Sequence, residues 1–260
     1  MPRFCANLSM MFPELEMPRR FAAAREAGFK AVEVLRPYEY PVADVRGWLQ
    51  DAGLEFVLLN SPPGKREGDR GLAGQPGREA EFRDALGKSL EYCVGLGAKM
   101  VHMMAGSVPE GTAREACEET FVENMYDAGI AARGMGIKLT LEPLNSRDAP
   151  NYLHNTAAKT RELISRIALD NVLLQYDLYH LQIMQGDLVE NLRKNLDVVG
   201  HIQFSSLPGR NEPQYGEVNL PYVFDQIDAL GYKGWVGCEY RPRGDTIEGL
   251  KGWGASYGLG

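Results

Sequence analysis

The chain has 260 residues, of which 44% are hydrophobic and 24% charged, so it can bury a large core and is too apolar for a disordered segment. A formal net charge of -7 without a Lys/Arg stripe argues against nucleic acid as a partner, because such binding rests on neutralising phosphates. No stretch approaches the ~20 apolar residues of a membrane span, and the start Met1-Pro2-Arg3-Phe4 lacks a secretory apolar run, which together point to the cytoplasm and away from a membrane.

Short apolar runs alternate with amphipathic segments along the whole chain. A strand is expected at 3–9, then a helix at 16–27. The pairs that follow are 31–36 with 42–52, 55–61 with 79–96, 99–106 with 114–133, 137–145 with 156–167, 171–180 with 188–199, and 201–207 with 220–230. The last strand is expected at 234–242, followed by a short helix over 246–257. Glycines 28, 53, 97, 136, 200 and 231 each fall between a helix and the next strand, where a left-handed residue stops a helix.

Eight strand-helix units without a break in composition predict a single domain over 1–260, closed as a parallel (β/α)₈ TIM barrel. A doubly wound open sheet is the alternative, but neither a G-x-G-x-x-G nor a P-loop glycine pattern follows the first strand. The four cysteines (Cys5, Cys93, Cys117, Cys238) form no C-x-x-C pair and read as buried thiols. Residues 61–78 and 207–219 are long connections that follow strands, so both belong at the catalytic face.

Strand side chains alternate in direction, and the aliphatic set of each strand must face the helices. That alternation turns Lys138, Thr140 and Glu142 inward on one strand, and Leu173, Gln175 and Asp177 on the next. It also turns His201, Gln203 and Ser205 inward, and Trp235, Gly237 and Glu239 on the last. Four successive strands then deliver Glu142, Asp177, Gln203 and Glu239 toward the mouth, where this fold places its active sites. Each alone could be a capping group. Together they need compensation by protons, cationic side chains or a metal, and three carboxylates with an amide oxygen suit Mg²⁺ or Mn²⁺. A hydrogen-bonded polar core without metal is the alternative.

The segments Glu142-Pro143-Leu144-Asn145, Asp177-Leu178-Tyr179-His180, His201-Ile202-Gln203 and Cys238-Glu239-Tyr240 resemble the xylose-isomerase-like barrels, and within them the hydroxypyruvate isomerases. The loop Asn60-Ser61-Pro62-Pro63-Gly64 with Gly68-Asp69-Arg70-Gly71-Leu72-Ala73 is similar to a segment of that subgroup. The resemblance covers nearly the whole chain. It implies that Glu142 and Glu239 are the catalytic pair, that Glu142, Asp177, Gln203 and Glu239 surround the metal, and that His180 binds a substrate oxygen. Related ketose 3-epimerases usually carry histidine where Gln203 stands, which favours the isomerase subgroup.

The implied reaction interconverts hydroxypyruvate and tartronate semialdehyde through an enediol, with no redox cofactor. A small anionic hydroxy or oxo acid calls for a guanidinium, and Arg70, Lys65 and Arg210 lie on the two long loops, with Arg70 preferred. His102 reads as a satisfied group of the barrel wall, Glu33 as structural, and Met10-Met11-Phe12 as an apolar wall over the pocket. A 2-oxotetronate isomerase or ketose 3-epimerase on the same site is the nearest alternative. A catalytically dead sugar-acid-binding barrel belongs to a different class, and so does an apurinic endonuclease, which four histidines cannot equip with several zincs. Homo-oligomerisation is left open.

Overall fold

The computed structural model describes residues 1–260. Nine parallel strand segments lie in the order β3-β2-β1-β9-β8-β7-β6-β5-β4. They are β1 (Arg3–Asn7), β2 (Ala31–Glu33), β3 (Glu55–Phe56), β4 (Leu58–Asn60), β5 (Met100–His102), β6 (Lys138–Leu141), β7 (Val172–Asp177), β8 (Val199–Phe204) and β9 (Trp235–Cys238). The two ends of that order, β3 and β4, are halves of one extended stretch interrupted at Val57. The sheet therefore returns on itself as the expected TIM barrel, with the third strand in two pieces.

Helices α1 (Met17–Glu26), α2 (Val42–Ala52), α3 (Glu79–Leu96), α4 (Arg114–Arg133), α5 (Ala157–Ile167), α7 (Leu188–Asn195) and α8 (Leu220–Ala229) fall where the apolar periodicity puts them. One helix was not expected. β7 stops at Asp177 and α6 (Leu178–Met184) begins at once, because the Asp177 side chain accepts a hydrogen bond from Tyr179 N at 2.9 Å and caps the helix. His180, expected at the end of a strand, therefore sits in a first helical turn. The C-terminal helix α9 is also shorter than expected, Thr246–Lys251, with a 3₁₀ turn at Gly254–Tyr257. Gly200 departs too: it lies inside β8, where a Cβ would come 2.9 Å from the Leu173 side chain. No helix is long and apolar enough to cross a membrane.

A shell of 63 buried residues fills the space between strands and helices. The barrel interior is separate and graded from bottom to top. Cys5, Ala31, Val57, Leu58 and Trp235 form an apolar floor, and the guanidinium of Arg3 lies 3.8 Å from the Trp235 ring centre. Above the floor the inward-facing side chains are polar, and above those, at the carboxyl ends of the strands, they are mostly charged.

Candidate active site

The middle tier is built around Glu33, which is fully buried. Its Oε1 accepts from Asn7 Nδ2 at 2.9 Å and Gln203 Nε2 at 2.8 Å; its Oε2 is 2.8 Å from His201 Nε2 and takes the Cys5 thiol at 3.7 Å. Gln203 Oε1 in turn accepts from Gln175 Nε2 at 2.5 Å, and Gln175 Oε1 accepts from Thr140 at 2.8 Å. Burial alone would raise the Glu33 pKa, but His201, Gln203 and Asn7 outweigh it and hold the carboxyl below its ordinary value. The tier needs Gly237: a Cβ there would lie 2.6 Å from Glu33 Oε1 and 2.8 Å from Gln203 Cγ.

The upper tier holds Glu142, Asp177 and Glu239, all buried, with His102, His180 and Arg210. Here partners are missing. Glu142 Oε1, Asp177 Oδ2, both ring nitrogens of His102 and Arg210 Nε are buried without a hydrogen-bond partner. Burial, then the charges of Glu239 and Asp177, push the Glu142 pKa well up. Burial pushes Glu239 to about 8 against the pull of Arg210. His102 falls to about 3, again through burial, so its approach of 3.3 Å to Glu142 Oε2 joins two largely neutral groups and is not an ion pair.

His180 is lowered to about 4 by burial. Its Nδ1 accepts the backbone N–H of Asn145 at 3.2 Å and lies 2.6 Å from the Asn145 amide, so the ring proton belongs on Nε2. That Nε2 points at Asp177 Oδ2, 3.6 Å away, and at Glu142 Oε1, 4.0 Å away. His180 thus presents a donor to the cavity.

Arg210 is delivered by the loop after β8 in a left-handed conformation, φ 55°, which a residue with a side chain adopts only at some cost. Its Nη2 is 2.6 Å from Glu239 Oε1 and 3.7 Å from Asp177 Oδ2, and its guanidinium lies 4.7 Å from the Tyr179 ring centre. It supplies the internal cation that a crowd of acids requires.

A cavity of about 340 Å³ opens over this tier, lined among others by Arg70, His102, Glu142, His180, Arg210 and Glu239. Arg70 is exposed, and the loop carrying it is pinned on both sides. Gly71 N donates to Pro63 O at 2.8 Å, Leu72 N to Met104 O at 3.1 Å, and Asp69 is gripped by both Nη atoms of the buried Arg78 at 2.6 and 2.7 Å. Lys65, on the same loop, is elsewhere: it lines a separate cavity with Glu81, Asp84 and Lys88.

Of the residues expected at the metal, Glu142, Asp177 and Glu239 come together, and Gln203, the strand partner of Asp177, is also hydrogen-bonded to Glu33. What sets Gln203 apart is its hydrogen bonding: its strand pairs it with Asp177 on one side and Gly237 on the other, and its amide is committed to Gln175 and Glu33. Alternation fixes which face a residue takes but not its height, which the shear of the barrel sets. His102, expected to be satisfied, is unsatisfied and on the cavity wall. Of Met10-Met11-Phe12 only Met10 lines the cavity; Met11 and Phe12 are buried in the core. Arg36 and Asp148 line the cavity without having been singled out, and nothing in their local sequence marks them.

The orphaned oxygens of Glu142 and Asp177, beside Glu239, fit a hard divalent cation. Glu142, Asp177 and His180 also place one ligand atom each within 4.8 Å of one another, but the proton on His180 Nε2 makes it a donor and not a ligand.

Residues 21–257 match the family model described as xylose isomerase-like TIM barrel. A 2-oxo-tetronate isomerase of Cupriavidus necator is 45% identical over 99% of this chain and 99% of its own. A putative hydroxypyruvate isomerase of Homo sapiens is 46% identical over 98% of this chain and 95% of its own. A crystal structure described as AP endonuclease, family 2, from Brucella melitensis superimposes with a TM-score of 0.96 at 45% identity, covering 99% of both chains.

Proposed function

This chain belongs to the xylose isomerase-like TIM-barrel family, and on that premise we propose that it interconverts hydroxypyruvate and tartronate semialdehyde by moving one proton between adjacent carbons. That it is an isomerase follows from its kinship with the 2-oxo-tetronate and hydroxypyruvate isomerases. The choice of reaction rests on the site. One observation carries it: Glu142 and Glu239, three strands apart round the barrel, face the same cavity and are both pushed toward their protonated forms. A carboxyl whose pKa lies near neutrality can both take and return a proton, which a reversible shift requires.

In this reading one glutamate removes a proton from the hydroxymethyl carbon of hydroxypyruvate. The enediol so formed is protonated at the neighbouring carbon from the other side, as a hydroxyl proton passes between the two oxygens. His180 Nε2–H and the guanidinium of Arg210 donate to the oxygens on which charge develops. Arg70, which has no protein partner, receives the substrate carboxylate.

A divalent cation, Mg²⁺ or Mn²⁺, would be held by Glu142, Asp177 and Glu239 and would supply Lewis-acid stabilisation of the developing oxyanion. Gln203, whose Oε1 accepts from Gln175, would complete that set through the same oxygen, which carries a second lone pair. Arg210 already neutralises part of the same cluster through Glu239 Oε1. A 2-oxotetronate is the second substrate to consider, because a cavity of about 340 Å³ leaves room beyond a three-carbon acid.

Proton NMR of hydroxypyruvate in deuterated buffer tests the reading. Loss of the hydroxymethyl signal, appearance of the semialdehyde and deuterium at the exchanging carbon are expected; neither conversion nor exchange, with hydroxypyruvate or 2-oxotetronate, would remove it. Chelation followed by Mn²⁺ or Mg²⁺ addition is expected to lower and then restore the rate, and full activity in chelator takes the metal out of the scheme.

A further inference from the structure

The catalytic cavity does not end at the glutamates. Met10, Leu35 and Arg36 on its wall also line a second cavity of about 550 Å³, whose far side carries Glu39, Arg241 and Pro242. The proposed chemistry gives tasks to Arg70 and Arg210 but none to Arg36 or Arg241. Both are exposed, and neither guanidinium has a hydrogen-bond or ion-pair partner in the protein.

Their backbones are nonetheless held firmly. Leu35 N donates to Ser9 Oγ at 2.8 Å and Leu35 O accepts from Asn60 N at 3.0 Å, which fixes the start of the Arg36 turn. Arg241 N donates to Arg210 O, and Arg241 O accepts from Asn211 Nδ2, both at 2.8 Å. Arg241 is thus tied to the loop that delivers Arg210 into the active site. Glu39 is the only carboxylate on the wall of the second cavity, so that wall keeps an excess of positive charge. Two unpaired guanidiniums on one cavity wall are each able to grip an oxyanion through two N–H groups. A three-carbon acid held at Arg70 would not reach across both cavities, so both are idle in the simplest version of the reaction.

We propose that Arg36 and Arg241 form a second anion subsite, which takes the terminal phosphate or carboxylate of an acyclic sugar acid of four or more carbons. The reacting carbons of that acid would lie between Glu142 and Glu239. The inference rests on the isomerase reading for the reacting end of the substrate and on the second cavity for the other.

Three compounds with a common four-carbon backbone test it as inhibitors of hydroxypyruvate isomerisation. They are erythronate, ending in a hydroxymethyl group; tartrate, ending in a second carboxylate; and 4-phosphoerythronate, ending in a phosphate. Tartrate or 4-phosphoerythronate is expected to inhibit about tenfold or more tightly than erythronate, as charge-assisted hydrogen bonds allow. The tighter of the two names the group the subsite takes. The same preference, expressed as a ratio of inhibition constants, is expected to fall toward unity in Arg241→Gln and separately in Arg36→Gln. Equal inhibition by all three compounds, or a preference that survives both substitutions, would overturn the proposal. Absence of turnover by the unaltered protein is a failure of the isomerase reading alone, and calorimetric titration of the same three compounds into the same variants then decides the subsite.

Discussion

The two polar tiers inside this barrel are both buried, and they differ in how far their polar atoms are partnered. In the middle tier Glu33 has each oxygen occupied twice, and the chain from Thr140 through Gln175 and Gln203 to Glu33 is closed by hydrogen bonds. In the upper tier Glu142, Asp177, His102 and Arg210 have atoms with nothing to bond, against His201 Nδ1 alone among the residues linked to Glu33. A buried polar atom without a partner costs on the order of 1–3 kcal/mol, so a tier of them persists only where something else completes it. The nearly satisfied tier reads as scaffold and the unsatisfied one as a receptor. Burial does not separate them; the count of partners does.

Replacing the acids of the upper tier is the strongest way to break that contrast. Glu142→Gln and Glu239→Gln keep shape but lose the proton, and each is expected to lower kcat by about 10²-fold to 10⁴-fold with little change in thermal stability. A folded variant with near-normal turnover would return that residue to the scaffold.

The converse is expected one tier down. Glu33→Ala leaves Asn7, His201 and Gln203 facing an empty space, and unfolding experiments are expected to show a loss of about 3–5 kcal/mol, the cost of breaking a buried charged network. A loss under about 1 kcal/mol with collapsed turnover would instead place Glu33 in the chemistry.

Arg70 sharpens the contrast at the rim. Arg70→Ala is expected to reduce kcat/KM for hydroxypyruvate about tenfold or more, because a charge-assisted pair is lost, and to spare any side activity on neutral ketoses. Equal losses on both would move the carboxylate to Arg210.

The smallest effect is on pH. Glu239 has a folded pKa raised from 4.5 to about 8, so the native state binds that proton more tightly than the unfolded chain. Its contribution to stability is complete below about pH 4.5 and is lost as the pH rises to about 8. In chelator, the unaltered protein is expected to lose a few degrees of Tm relative to Glu239→Gln between those limits. Parallel curves would show that the carboxyl is ionised when folded.

Much of this was legible in the chain. The helices Glu79–Leu96 and Arg114–Arg133 end where the periodicity ends, because their long apolar faces leave no other register. Alternation alone turned Glu142, Asp177 and Glu239 inward. What escaped depends on contacts distant in sequence. The commitment of the Gln203 amide is set by Gln175 and Glu33, the partnerless state of His102 by what the neighbouring strand fails to offer, and the approach of Arg36 to the mouth by packing against the turn after β1. Alternation turns Asp177 inward, but its second role as a helix cap, which swings His180 over the cavity, requires knowing that the strand stops there.

Gly237 carries a consequence for how this sequence can drift. It binds nothing and titrates nothing, yet any side chain placed there must collide with Glu33 and Gln203. In a comprehensive substitution library it is expected to be as intolerant as Glu142 or Glu239, but for a different reason, and its variants would be depleted by misfolding before catalysis could be measured. Invariance at two positions of one strand, Gly237 and Glu239, would therefore record two separate selections, one acting on abundance and the other on turnover.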